Sequence, residues 1–397
     1  MSRNSNPKNQ DRKFNRLVAA LLDWFAAHAR DLPWRHTRDP YAIWVSEIML
    51  QQTQVRTVLP YWERWMRELP TIESAARAGS NQIHKLWEGL GYYARARNLQ
   101  RAARVILEKH GGRFPKNFKD VLALPGIGRY TAGAICSIAF NQPTPVLDGN
   151  VIRVLTRIFG VAENPRRPET RRRLWRLAEE LVQRALQAEN SNGKFPPPAG
   201  PSRRTNCCSR LNQSLMELGA LVCTPRLPRC EICPVRTLCV AFGENRVAEW
   251  PSPAKRLKAI PRRFVAFVIE HHGKCLVRQR PAGVVNAHLW EFPNVEVNGA
   301  PVQAEEIFRN EFGFVPRKLT PLATFKHSIT RYRMTLEAYW VSAGGRKFPA
   351  PPSLALKAGR RPEGGIWLAP RQWSSLPFAA AHKKLAMLTA NRMLAGQ

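Results

Sequence analysis

Phe14, Leu17, Val18, Leu21, Leu22 and Phe25 fall at i, i+3, i+4, i+7, i+8 and i+11, a single apolar stripe that predicts an amphipathic helix. The same period recurs over 41–54, 57–67, 81–88, 94–110, 117–123, 129–139, 149–159 and 169–188, and a last helix is expected near 207–221. The stretch 189–206 breaks the pattern with Pro, Gly and Ser, and reads as a loop or disordered insertion. Pro251, Pro253 and Pro261, set among basic residues, mark 243–262 as a linker. Beyond it the period shortens toward two. Phe264–Ile269, Lys274–Arg280 and Ser328–Val341 predict strands, with helices at roughly 303–312 and 379–395. The expected layout is a polar basic tail (1–13), a helical domain (14–242), the linker and a smaller α+β domain (263–397). No internal repeat is visible.

Charge changes this picture most. Lys and Arg number 62 against 29 Asp and Glu, a net charge of +33, which makes nucleic acid the leading partner over a merely basic or ribosome-associated surface. Twelve tryptophans argue for large buried surfaces and against a disordered basic chain. No run of eighteen apolar residues is present, so no membrane partner is expected, and Met1–Lys13 lacks the apolar stretch of a secretory signal. Cys136, Cys207, Cys208 and Cys275 lie singly or as an adjacent pair, not as a disulfide framework. A reducing compartment is expected: cytoplasmic, and nucleoid-associated if the cell is bacterial.

Four further cysteines do form a pattern. Cys223, Cys230, Cys233 and Cys239 are spaced C-x6-C-x2-C-x5-C, a thiolate quartet best read as a metal cage; an iron–sulfur cluster needs four such ligands. Arg226, Arg229 and Arg236 make the caged loop basic. Upstream, Leu124-Pro-Gly-Ile-Gly-Arg-Tyr-Thr131 sits between two helical patterns. Gly126 and Gly128 permit a hairpin whose N–H groups face a phosphate, although an ordinary helix–turn–helix connection reads the same. Asp148 opens the helix at 149 and is suited to capping it; such a carboxylate is fixed in direction and kept ionised. Glu47 is flanked by Ile43, Trp44, Ile48, Met49 and Leu50. A lone helical glutamate is usually solvated, but this setting offers little solvated face and would raise its pKa toward that of a general acid. Gln51, Gln52, Thr53 and Gln54 follow, uncharged side chains that suit base edges better than phosphates.

The helix-hairpin-helix (about 117–139), Val146-Leu-Asp-Gly-Asn-Val151 and the cysteine box (223–239) together resemble the endonuclease III superfamily of DNA glycosylases. Leu32-Pro-Trp-Arg35, Val45-Ser-Glu-Ile-Met-Leu-Gln-Gln-Thr53, Gly89-Leu-Gly-Tyr-Tyr93 and a second domain look like its MutY-type adenine glycosylases. The resemblance implies an all-α core with a 4Fe–4S loop plus a MutT-like (Nudix) α+β domain. It also implies removal of adenine paired with 8-oxoguanine or guanine in double-stranded DNA, by a monomer. Tyr130 stands where bifunctional members carry a nucleophilic lysine, and Ile152 stands where some MutY-type proteins carry another, so monofunctional hydrolysis is expected. By resemblance, Glu47 protonates the base, Asp148 stabilises the oxocarbenium-like sugar, and Tyr130 and Asn150 orient both. Arg30, Trp34, Arg35, Leu50 and Gln213 match pocket positions, while Gln52, Thr53 and Tyr92 match residues that wedge into the stack. Packing in a core is the plain alternative for Trp34 and Tyr92.

In the C-terminal domain, Arg309-Asn-Glu-Phe-Gly313 is only a remnant of the glutamate box that a Nudix hydrolase needs, so no nucleotide hydrolysis is expected. The family's Phe-Ser-His lesion-reading loop is altered to Ile329, Thr330 and Arg331, with Thr330 placed to supply the hydroxyl. Two other functions compete: a thymine or uracil mismatch glycosylase of the same superfamily, and a non-catalytic DNA-binding iron–sulfur protein.

Overall fold

The computed structural model describes residues 7–190, 205–252, 258–297, 303–329, 331–342 and 365–395. Two compact units emerge, one formed by 1–77 with 98–255 and the other by 78–97 with 256–397.

In the first unit, α1 (Pro7–His28) is followed by α2 (Pro40–Leu50), α3 (Val55–Glu68) and α4 (Ile72–Arg77), the last too short to show a period in sequence. α5 (Ser80–Leu86) lies in the second unit, and α6 (Ala94–Lys109) passes from the second into the first. Then come α7 (Phe118–Leu122), α8 (Arg129–Phe140), α9 (Gly149–Phe159), α10 (Pro168–Asn190), α11 (Cys207–Leu221) and the short α12 (Val240–Gly243). The apolar stripe of α1 packs with Val151, Val154, Leu155 and Ile158 of α9, Leu174 and Leu181 of α10, and Leu211, Leu215 and Leu218 of α11. Cys207 and Cys208 lie inside that core, where burial raises their thiols to about 11 and about 12, so they behave as small apolar side chains.

α2 starts with Pro40 at its first turn, and Asp39 accepts from the N–H groups of Tyr41 (3.0 Å) and Ala42 (3.3 Å). Every residue from Tyr41 to Met49 is buried, so this helix has no solvated side. It ends at Leu50, four residues before the expected limit of 54. Gln52 takes a positive φ of 57° there, which a helix cannot continue through, and the polar run lies on a turn.

The second unit carries a seven-stranded sheet: β1 (Ile260–His271), β2 (Lys274–Gln279), β3 (Trp290–Glu291), β4 (Asn294–Val297), β5 (Lys318–Ile329), β6 (Tyr332–Ser342) and β7 (Ile366–Leu368). The order β3-β2-β1-β6-β5 places β1 and β6 side by side in parallel, with β4 added on β1 and β7 on β2. α13 (Ala304–Phe312) contributes Ile307 and Phe308 to one apolar cluster with Phe267 and Val341, and α14 (Ala380–Ala395) contributes Leu385 and Ala386 to another with Phe292 and Trp373. The single strand expected at Ser328–Val341 is instead a junction of two. β5 and β6 form an antiparallel hairpin in which Ile329 faces Tyr332, and β1 starts at Ile260, inside the stretch read as linker. Thr330 lies outside the described residues.

Segment 78–97 is held in this unit by Glu88, which accepts from the Phe378 N–H (3.0 Å) and from Lys383 Nζ (2.6 Å), and by Arg97, which donates to the Ala287 carbonyl (3.2 Å). It carries a turn with positive φ at Gly89, Gly91 and Tyr92, and Tyr92 is 45% exposed. Trp87 Nε1 donates to Gly91 O (3.1 Å) and the Arg95 guanidinium donates to the Leu90 and Gly91 carbonyls, fixing that turn from inside.

Candidate active site

An open cavity of about 910 Å³ in the first unit is lined by Arg30, Trp34, Arg35, Glu47, Leu50, Gln52, Thr53, Tyr130, Asp148, Asn150 and Gln213, among others. The four residues expected to act and the five expected to line a base pocket therefore share one chamber. Four stretches of chain far apart in sequence bring them there.

Glu47 reaches it from α2 and is 6% exposed. Burial raises its pKa to about 7, helped by the nearby Asp148 charge and opposed by Tyr130 and Arg35. Tyr130 enters from the first turn of α8 and donates its hydroxyl to Glu47 Oε2 at 2.7 Å; burial, Glu47 and Asp148 hold that phenol protonated.

Asp148 arrives by a close approach. The chain after α8 doubles back across Gly133, where an added Cβ would stand 2.2 Å from the Pro145 carbonyl oxygen, and Thr144 Oγ1 donates to Gly133 O (2.9 Å). This brings Asp148 to the N-cap of α9, where Oδ1 accepts from the Val151 N–H (2.7 Å) and Oδ2 from Asn150 Nδ2 (3.0 Å). Capping and Arg153 favour the charged carboxylate, but burial outweighs them and its pKa is raised, not lowered as capping alone predicts.

Arg153 ties the arrangement to the cysteine loop. Its Nη2 donates to Asn150 Oδ1 (2.8 Å) and Gly219 O (2.7 Å), and its Nε donates to the Cys223 carbonyl (2.7 Å). One helical turn on, the buried Arg157 donates to Cys223 Sγ (3.3 Å), Thr224 O (2.8 Å) and Trp250 O (2.8 Å). Cys223, Cys230, Cys233 and Cys239 line one common cavity and are all free thiols. Burial and neighbouring cysteines raise Cys233 to about 12, and burial also raises Cys230 and Cys239. Among the described residues, no three His, Cys, Asp or Glu form a group placed to hold a metal ion.

The pocket arginines have a partner that the sequence reading missed. Glu217 of α11 is 1% exposed and receives hydrogen bonds from both Arg30 and Arg35. In sequence it is one more helical glutamate; only the fold brings it to residues almost two hundred positions away. Gln213, one turn earlier, donates to Ser209 Oγ (3.1 Å).

Gly126 and Gly128, the expected phosphate contacts, do not line this cavity. Gly126 has a φ of +77°, and an added Cβ would stand 2.5 Å from Cβ of Asn98 on α6. Gly128 is the N-cap of α8 and no side chain caps that helix end, the exposed-amide geometry expected of an anion site. Trp34 is buried, with its ring edge-on to Trp62, while Gln52 and Tyr92 are exposed with positive φ.

Residues 45–180 match the model of the HhH-GPD superfamily base excision DNA repair proteins, and 265–388 that of the NUDIX domain. The adenine DNA glycosylase of Rattus norvegicus is 34% identical to this chain, over 92% of it and 76% of the relative; that of Homo sapiens is 33% identical over 92% and 72%. The chain belongs to the adenine DNA glycosylase family. The solved structure of a thermostable thymine-DNA glycosylase also matches, at 32% identity and a TM-score of 0.50, but it covers 59% of this chain against 99% of its own. The adenine DNA glycosylases thus match much more of this chain than the thymine enzyme does, and the helix-hairpin-helix core and Nudix-like domain are both those of this family.

Proposed function

We propose that this protein is a base excision repair enzyme that removes adenine facing 8-oxoguanine or guanine in duplex DNA, by hydrolysis of the N-glycosidic bond. The observation that carries this reading is the pairing, in one cavity, of a carboxyl poised near neutrality (Glu47) with a capped carboxylate (Asp148).

An adenine in the stack is out of reach and has to be flipped into the cavity between Trp34, Leu50 and Gln213. Tyr130 donates to Oε2 of Glu47, leaving Oε1 to carry the transferable proton. Transfer of that proton to ring nitrogen seven lets the base leave with the electron pair of the C1′–N9 bond. Asp148, aimed by Val151 and Asn150, stabilises the positive sugar, and water adds to C1′ while its proton passes to a carboxylate. Tyr130 in place of a lysine supports release without a Schiff base.

The four cysteines fit a 4Fe–4S cluster on their donor chemistry: four free thiols line one cavity, the donor set such a cluster takes. Cys223, Cys230, Cys233 and Cys239 would hold it, and it would fix the shape of the basic loop and take no part in the hydrolysis. Gln52, Thr53 and Tyr92 would wedge into the duplex, the amides at Gly126 and Gly128 would hold a phosphate, and Thr330 would read the opposing lesion. DNA is the partner, and the protein acts as a monomer.

The thymine mismatch alternative shares Tyr130 and Asp148, but the thymine enzyme covers 59% of this chain where the adenine DNA glycosylases of Rattus norvegicus and Homo sapiens cover 92%. Alkali-induced strand cleavage on duplexes carrying A·8-oxoguanine, A·G, A·C, T·G and A·T tests the reading. Cleavage at adenine in the first two supports it. Cleavage at thymine in T·G with adenine untouched overturns it.

A further inference from the structure

We infer that Glu217 is a positioning residue for excision: it fixes Arg30 and Arg35 in the base-binding wall and shields the general acid Glu47 from their charge. The inference rests on the acid role proposed for Glu47.

Every acceptor direction of this carboxylate is taken. Oε1 receives the Arg30 main-chain N–H (3.0 Å), Arg30 Nε (2.8 Å) and Arg35 Nη1 (3.2 Å), and Oε2 receives Arg30 Nη2 (2.7 Å) and Arg35 Nη2 (2.9 Å). Two guanidinium forks on one carboxylate give the directional, charge-assisted arrangement that orients arginine most firmly. Arg35 is further tied to the Arg30 carbonyl (2.9 Å) and lies over the Phe25 ring. The arginines are partly exposed, at 34% and 15% of their side chains, while Glu217, which lines the same cavity, is 1% exposed. Their charges hold Glu217 ionised, with its pKa lowered to about 2, so it remains an anion throughout the working range.

The charge balance matters because Arg35 also acts on Glu47. The groups facing Glu47 are Tyr130 on α8, Asp148 at the start of α9 and Arg35 on the turn Pro33–Arg35, with Glu217 on α11 paired to that arginine. Two cations balanced by one anion leave a single net positive charge in this wall. Without Glu217 there are two, and the added positive field favours the ionised form of Glu47, the form without a proton to give. Removing Arg35 acts in the opposite sense.

Single-turnover adenine excision, followed across the pH range that brackets the titration of Glu47, tests this in the full chain. For Glu217→Gln we expect a loss of about 10²-fold at the optimum from misplaced arginines, and a basic limb moved down by about one pH unit. Glu217→Asp keeps the charge and should keep the limb where the unaltered protein has it, even with a lower rate. A folded Glu217→Gln protein whose profile superimposes on the unaltered one after scaling overturns the inference. If Glu217→Gln does not fold, Arg35→Gln decides: a limb moved to higher pH supports the shielding, and an unmoved limb overturns it. Full excision by Glu47→Gln would instead sink the acid reading itself, a result separable from either of these.

Discussion

Gly219 on α11 stands so close to Asn150 on α9 that an added Cβ would lie 2.6 Å from Asn150 Cβ and 3.1 Å from its Cα and carbonyl oxygen. The contact sets how near the two helices come, and Asn150 in turn donates to Asp148. Gly219→Ala must push the start of α9 outward. We expect a stability loss of about 1–3 kcal/mol and an excision rate lowered by about 10²-fold, read by thermal melting and single-turnover assays. Unchanged excision in the folded variant would separate Asn150 from the chemistry.

Ionisation of Glu47 costs stability. Its pKa in the fold, about 7, lies above the ordinary 4.5, so the native state binds more protons than the unfolded chain between those values and stability falls as pH rises through them. Glu47→Gln should therefore be more stable than the unaltered protein at alkaline pH, by on the order of 2 kcal/mol, and nearly equal to it in acid. Denaturant melts at both ends of the range check this; equal midpoints at alkaline pH contradict it.

Periodicity made the helices legible because each buries one face, and α2 stood out because it buries all of them, which is why Glu47 could be singled out from neighbours alone. β5 was not legible: it is half exposed along its length and contains Pro321, Thr320, Thr324 and Lys326, so its alternation is faint and the hairpin reads as a single strand starting at Ser328. Asp148 was visible as a cap, but the burial that raises its pKa comes from packing and leaves no local signal. Glu217 and Arg153 escaped for the same reason, since each earns its place through partners distant in the chain.

Gln52 holds a left-handed backbone at the rim of the cavity, a conformation that costs a non-glycine residue stability. Gln52→Gly should raise the melting stability by up to about 1 kcal/mol while slowing excision, since the side chain proposed to enter the stack is gone. A glycine variant that is more stable and equally active would remove Gln52 from the DNA contact.

Arg153 joins Asn150 to the carbonyl of Cys223. Arg153→Leu should lower two quantities together: the rate of excision, and the visible iron–sulfur absorbance per protein chain. Loss of rate with full absorbance would confine Arg153 to the active-site side; the reverse would confine it to the cysteine loop.

Arg226 is exposed in the cysteine loop, within a chain of net charge +33. If it meets a phosphate, Arg226→Ala should weaken binding on matched and mismatched duplexes alike and reduce the salt dependence of log K by about one. An unchanged salt slope would place the DNA away from this loop.

The central claim is that Glu47 supplies the proton with which adenine leaves. The direct measurement is single-turnover release of adenine from an A·8-oxoguanine duplex by the unaltered protein and by Glu47→Gln, with duplex affinity measured in parallel. The account predicts retained binding and a rate reduced by about 10²-fold or more in the variant. Adenine released at the same rate by both proteins would contradict it.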